Sequence, residues 1–158
     1  YKNHDAYCCE FDNFLPYTDI LINGIYWEDS MPPLFHVEDT QQANFAIKVI
    51  ADVTCDVEGS VPITMEATTI YNPTFGWSKS EQKQVDPFGE DTIDIMAVTN
   101  LPTELPKNAS EEFGSLLMEY ILPLVVHGDK NHILERATIT SGGALTKSYK
   151  YLSNYVNG

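Results

Sequence analysis

The sequence predicts an α/β fold built on a mainly parallel sheet, and three stretches point to it. Ile47-Lys48-Val49-Ile50-Ala51 is an apolar run broken only by Lys48, as expected of a strand buried on both faces of a parallel sheet. Ile20-Leu21-Ile22 is a second continuous apolar run, interrupted by Asn23-Gly24. Ile93, Ile95 and Ala97 alternate within Thr92 to Val98, the period of a third strand. A strand, a crossover and a parallel strand make a βαβ unit, which is nearly always right-handed.

A chain of 158 residues is long enough for one domain with a real core. Hydrophobic residues make up 43% of it, which fits a globular protein rather than a disordered one. No apolar run approaches the ~20 residues of a membrane span. The formal charge of −14 repels phosphate backbones, so no nucleic-acid partner is expected, and no anionic membrane surface either. Three cysteines are too few and odd in number for a disulfide scaffold, and a reducing compartment fits them best. The expected location is cytoplasmic, or mitochondrial for a eukaryotic source. No signal peptide follows Tyr1, and the chain reads as a piece of a longer protein.

Tyr1 to Tyr17 has no clean periodicity. Cys8 and Cys9 lack the CxxC spacing of a metal or redox pair and read as buried or half-buried thiols. Asp19 to Trp27 is the first predicted strand, ended by Met31-Pro32-Pro33. Glycine at position 24 lets a backbone or a ligand approach closely. Val37 to Asn44 is polar and predicts a short crossover helix.

The second strand, over 46–54, passes into small polar and acidic residues through Ser60. Ligands of open α/β sheets collect at such carboxyl ends. A core strand followed by an ordinary turn explains this segment equally well. Ile63 to Ile70 is rich in threonine and predicts another extended segment. Asn72-Pro73 and Asp86-Pro87-Phe88-Gly89 mark turns, so 60–91 reads as a long hairpin-like excursion. The strand over 92–98 then ends in Thr99-Asn100-Leu101-Pro102.

The clearest predicted helix begins near Asn108, with Glu111 completing a capping-box pattern. Phe113, Leu116, Leu117, Tyr120, Ile121 and Leu124 recur at helical spacing and predict an inward-facing stripe. Pro123 should kink or end the helix. Asn108-Ala109-Ser110 also matches a glycosylation acceptor, although a helix cap accounts for it better. Ile133 to Thr140 fits helix or strand, and Ser141-Gly142-Gly143 is a loop. Thr146 to Val156 predicts a last helix with Tyr149, Leu152 and Tyr155 on one face.

Several chemical signatures are missing. None of the nine glycines gives the GxGxxG turn that opens a dinucleotide-binding fold. His4, His36, His127 and His132 form no metal-binding pattern, so no metal is expected. There is no GxSxG elbow. The strands therefore read as the second half of a doubly wound sheet, without a self-contained catalytic site.

Four blocks, in order, carry a family resemblance. They are Asp19 to Tyr26, then Ala51 to Ser60 with Glu66-Ala67-Thr68-Thr69-Ile70, then Val98 to Pro106, and finally Arg136 to Thr146 with Tyr149-Lys150-Tyr151-Leu152. Together they resemble the carboxyl-terminal part of the lysine-forming saccharopine dehydrogenase and lysine-ketoglutarate reductase family. Thr54-Cys55-Asp56-Val57-Glu58-Gly59-Ser60 matches the family pattern SADTGGS, and Arg136 to Thr146 matches RAVIASNGxLT. Only the first fifteen or so residues are unassigned. The wider alanine dehydrogenase and transhydrogenase superfamily shares the fold.

The resemblance implies a Rossmann-like α/β fold, with the chain as one partial domain: the second half of a dinucleotide-binding domain. It implies an oxidoreductase that interconverts saccharopine with L-lysine and 2-oxoglutarate using NAD or NADP. By position, Ile25, Tyr26, Val53, Val98, Thr99, Asn100 and Leu101 match cofactor-contacting residues. Thr54, Cys55 and Asp56 match a Ser-Ala-Asp tripeptide that holds the amino-acid substrate. Thr99 stands where the family has an aspartate, which removes any ionic role there. The family's general acid and base lie in an amino-terminal domain, so no catalytic residue is assigned here and the fragment alone should be inactive. That domain and a small amino-acid substrate are the implied partners. A non-catalytic ligand-binding or oligomerisation domain of the same superfamily is the alternative. An exposed apolar stripe on the helix from Ala109 to Leu122 would favour oligomerisation.

Overall fold

A computed structural model of the protein describes residues 9–28 and 31–157. Cys8 and His4, named above, lie outside the described residues. The chain divides into two compact units, Tyr1–Leu101 and Pro102–Gly158.

The first unit is built on a five-stranded sheet in the order β1-β2-β5-β3-β4. Its strands are β1 (Ile20–Asn23), β2 (Val49–Asp52), β3 (Thr74–Ser78), β4 (Lys83–Val85) and β5 (Thr92–Met96). β1, β2 and β5 run parallel, with Ile20 opposite Val49 and Val49 opposite Asp94. β3 and β4 add an antiparallel hairpin on the far side of β5. The mainly parallel α/β sheet expected from the sequence is therefore present, and its three parallel strands are those predicted, each shorter than expected. Asp19 still extends β1, because its carbonyl accepts from Lys48 N at 2.9 Å and its carboxylate pairs with Lys48 Nζ at 2.9 Å.

Burial on both faces of the parallel strands is not what the structure shows. Leu21, Asn23, Ile50 and Asp52 point into the core, while Ile20, Ile22 and Val49 are exposed on the opposite face. The two-residue period of a strand puts these sets on opposite sides, and the described residues cover only one of them. On the covered face, Leu21 and Ile50 join Ile93 and Ile95 of β5 and Phe75 and Trp77 of β3 in one core cluster with Phe35, Phe45, Ile47, Val61 and Ile63. Phe35 and Phe45 meet edge to face at 5.2 Å. The outer edge of β1 pairs with no described strand.

The hairpin β3–β4 lies within the excursion expected over 60–91, but the threonine-rich run forms no part of it. Ile63 to Ile70 is not a strand; it contributes Ile63 to the core and two isolated bridges, Thr68 to Val98 and Thr69 to Asn72. Local hydroxyl bonding competes with the ladder there. Thr68 Oγ1 donates to Pro73 O at 2.8 Å and accepts from Ala97 N at 3.1 Å. The crossover at Val37–Gln41 is a 3₁₀ helix.

The second unit holds α1 (Pro106–Leu116), a π turn over Leu117–Ile121, α2 (Leu122–His127), α3 (Ile133–Ala137) and α4 (Ser153–Asn157). A two-stranded hairpin joins β6 (Thr140–Ser141) to β7 (Ala144–Leu145). The predicted capping box at Asn108 is not used: α1 starts at Pro106, whose fixed φ suits a first helical position. Pro123 neither ends nor sharply interrupts the helix. It has no N–H and its ring crowds the carbonyl four residues back, which here is Glu119, inside the π turn. The wider turn accommodates both. The last predicted helix is a 3₁₀ stretch over Lys147–Leu152, kinked at Tyr149, followed by α4.

The inward-facing stripe is also corrected. Phe113, Leu116, Leu117 and Tyr120 are exposed, and Ile121 is half-buried. No described residue from Pro102 to Asn157 is buried. The helical spacing is real, but the described residues of this unit leave the stripe uncovered.

Candidate functional site

Parallel strands all end on the same side of a sheet, so β1, β2 and β5 present their carboxyl ends along one edge. Ile25 and Tyr26 follow β1, Val53, Thr54, Cys55 and Asp56 follow β2, and Val98 to Leu101 follow β5. The predicted site residues are thus brought to one edge by topology. Ile25, Tyr26 and Val53 are exposed there, as are Asp56, Thr99 and Asn100. Thr54, Cys55 and Leu101 are half-buried. Val98 differs: its side chain is buried in the core.

Beneath that edge lies a polar network that the sequence reading missed. Asn23 and Asp52 end their strands directly opposite each other, and both are buried. Asn23 Nδ2 donates to Asp52 Oδ1 at 2.9 Å and to Ser60 Oγ at 2.7 Å. Asp52 Oδ1 also accepts from Thr54 Oγ1 at 2.7 Å and from Thr54 N at 3.2 Å. Its other oxygen, Oδ2, accepts from Thr64 Oγ1 at 2.6 Å. A buried carboxylate is costly unless its lone pairs are used, and here both oxygens have donors. One signal was in the sequence: Asn23 follows Leu21, and Asp52 follows Ile50, on the core-facing phase of each strand.

The segment after β2 is a closed loop. Val53 N donates to Asn23 O at 2.8 Å, continuing the parallel ladder by one bond. Cys55 and Glu58 both take left-handed backbone, at φ 57° and φ 51°. Neither is glycine, so the surroundings must impose that conformation. Gly59 allows the tight return. A Cβ there would sit 2.6 Å from Asp56 Cβ and 3.1 Å from Asp56 O. Gly59 N donates to Asp56 O at 3.1 Å, and Glu58 N to Thr64 O at 2.9 Å.

Charge at this edge is negative. Asp56 and Glu58 are exposed above the buried Asp52. Cys55 Sγ donates to Asp52 O at 3.3 Å. Partial burial pushes its thiol up, and the carboxylates of Asp52 and Asp56 push it further. The edge can therefore accept hydrogen bonds from an amino group, and its thiol is held protonated. Among the described residues no cluster of His, Cys, Asp and Glu is arranged to hold a metal ion, and no helix is long and apolar enough to cross a membrane.

The chain is similar to several curated proteins. It is 34% identical over 143 residues to the alpha-aminoadipic semialdehyde synthase of Arabidopsis thaliana, covering 87% of this chain and 13% of that protein. The mitochondrial alpha-aminoadipic semialdehyde synthase of Mus musculus is 32% identical over 178 aligned residues, covering 96% of this chain and 19% of the relative. The NAD(+), L-lysine-forming saccharopine dehydrogenase of Schizosaccharomyces pombe is 31% identical over 110 residues, 68% of this chain and 28% of that enzyme. No protein-family model matches the chain. It spans between 13% and 28% of the length of these three relatives.

Proposed function

The chain belongs to the saccharopine dehydrogenase family, and from that membership we propose that it is part of an oxidoreductase interconverting saccharopine with L-lysine and 2-oxoglutarate. The observation that supports this most is the meeting of three matched segments at one sheet edge, each at the carboxyl end of a parallel strand. That is where open α/β sheets bind their ligands.

The proposed cofactor is NAD or NADP. The exposed apolar side chains of Ile25 and Val53 at that edge suit the flat face of a nicotinamide ring. Bound there, the nicotinamide would supply the hydride donor or acceptor. This chain's own contribution is to orient and enclose. Ile25, Tyr26, Val53 and Thr99 to Leu101 form the cofactor-side wall, with the buried Val98 anchoring its last segment in the core. Thr54, Cys55 and Asp56 hold the amino-acid substrate, Asp56 accepting from its amino group. Holding the two partners in line and keeping water out is worth more to this reaction than any group that titrates here. Proton transfer requires a base tuned near neutral pH, and that role belongs to a domain outside these residues. The proposed setting is the cytoplasm, or the mitochondrion for a eukaryotic source; the mouse relative has mitochondrial in its name.

The test is an assay of the full-length polypeptide that contains this chain. Saccharopine-dependent reduction of NAD or NADP, followed by nicotinamide absorbance, is the expected result. A full-length protein that binds neither saccharopine nor either cofactor would remove the reading. A second reading has an observation of its own: the stripe of Phe113, Leu116, Leu117 and Tyr120 is exposed. It supports an oligomerisation role for the second unit, which the molar mass of the purified protein in solution would report.

A further inference from the structure

Asp52 has no exposed surface, so it touches no ligand directly. Its partners are Asn23, Thr54 and Thr64, all neutral. The placing of these partners is what gives the residue a function. Thr54 stands near the start of the loop over 53–64 that follows β2, and Thr64 closes it. Asp52 Oδ1 holds the first through a hydroxyl and a backbone N–H, and Oδ2 holds the second at 2.6 Å. Asn23 adds a third tie, reaching Ser60 at 2.7 Å. Between these ties the chain adopts two left-handed non-glycine residues, Cys55 and Glu58. Such conformations persist only where the surroundings over-determine them.

We infer that Asp52 is a positioning residue, which clamps the loop over 53–64 from both ends and so fixes Asp56 and Cys55 at the sheet edge. This rests on the reading that Thr54, Cys55 and Asp56 hold the substrate. Asp52 acts through Thr54 and Thr64. A carboxylate suits the task better than an amide, because it offers acceptors on both oxygens and every partner is a donor.

The variants to compare, in the full-length polypeptide, are Thr64→Val, Asp52→Asn and Asp56→Asn, with the double variant Thr64→Val/Asp56→Asn. Thr64→Val keeps shape and charge and removes only the tie to Oδ2. It should lower kcat/KM for saccharopine by about tenfold, the loss expected when one buried charge-assisted hydrogen bond goes. Cofactor KM should stay within about twofold, since the other wall residues follow β1 and β5, outside the clamped loop, and Val53 N is tied to Asn23 O. Combined with Asp56→Asn it should cost little more than Asp56→Asn alone, because both act on one contact. Asp52→Asn should show the same split between substrate and cofactor.

A second readout needs no turnover. Cys55 sits inside the clamped loop, so Thr64→Val should speed its alkylation by iodoacetamide without altering the charges around it. A wild-type protein that does not turn over saccharopine sinks the functional reading, and the alkylation rate still decides the clamp. Unchanged alkylation and unchanged kcat/KM in Thr64→Val would overturn the clamp while leaving the functional reading intact. So would losses in the double variant that simply multiply.

Discussion

Asn23 and Asp52 stand opposite each other at the ends of two parallel strands, and Nδ2 of the first donates to Oδ1 of the second across 2.9 Å inside the core. An amide opposite a carboxylate leaves no like charges facing each other and no donor unused. Asn23→Asp breaks that match. It removes the donors to Asp52 and Ser60 and buries a second carboxylate. The expected loss is about 3–5 kcal/mol at neutral pH, the cost of an uncompensated buried charge. The introduced carboxyl is favoured neutral in the fold, so its folded pKa lies above the unfolded one. Stability should therefore recover as pH falls through that folded value. Urea unfolding at several pH values checks both the size and the sign.

Gly76 lies on β3 where the hairpin's return passes very close. A Cβ there would be 2.6 Å from Asp86 O and 3.1 Å from Pro87 Cα, both backbone atoms. Neither can swing aside as a side-chain tip would. Gly76→Ala should destabilise the protein by about 1–3 kcal/mol, read as a lower urea midpoint with the same slope.

Cys55 should be a sluggish thiol. Burial and the nearby Asp52 and Asp56 all raise its pKa. Only the thiolate reacts, so its alkylation rate should rise with pH along a curve displaced to higher pH than that of a cysteine in a free peptide. Asp56→Asn should move the curve back part of the way. Stopped alkylation at a series of pH values, with the site identified by peptide mapping, would show it. A curve below that of the free peptide would contradict the surroundings described for this thiol.

Asp56 is the one acidic side chain of the proposed substrate tripeptide, and it is exposed at the sheet edge. In the full-length polypeptide Asp56→Asn should reduce kcat/KM for saccharopine by about tenfold to a hundredfold, as for a lost charge-assisted hydrogen bond. Cofactor binding and melting should change little. Full activity combined with early melting would make it a structural turn residue.

The 158-residue chain by itself should give no saccharopine-dependent reduction of either cofactor. It carries no glycine-rich phosphate turn and no assigned proton-transfer residue. Steady turnover by the purified chain would mean that the site is complete within it.

How much of this was legible in the sequence follows from the range of the interactions. β1, β2 and β5 were readable because a strand's apolar period is local. The hairpin lies within the stretch expected over 60–91, but the extended segment expected over Ile63 to Ile70 is not a strand, since Thr64 and Thr68 carry β-propensity yet use their hydroxyls on Asp52 and Pro73. The helical period of Phe113 to Ile121 was readable too, but which surface covers it is not a property of the helix. Val53 to Asp56 came through resemblance. The roles of Asn23, Ser60 and Thr64 did not, because the bonds of Asn23 and Thr64 to Asp52 and of Asn23 to Ser60 depend on strand register and loop closure, separations of up to 37 positions along the chain.

The outer edge of β1, which no described strand pairs, has a consequence for handling this polypeptide. Ile20 and Ile22 lie on that strand with their side chains in solvent, and a free apolar strand edge templates pairing with another molecule. What opposes such pairing is mutual repulsion between copies that each carry a formal charge of −14. The range of that repulsion falls from ~10 Å in 0.1 M salt to ~3 Å in 1 M salt. Colloidal stability should therefore be greatest in dilute buffer, with turbidity growing as salt is added or as the pH approaches the isoelectric point near 4.4.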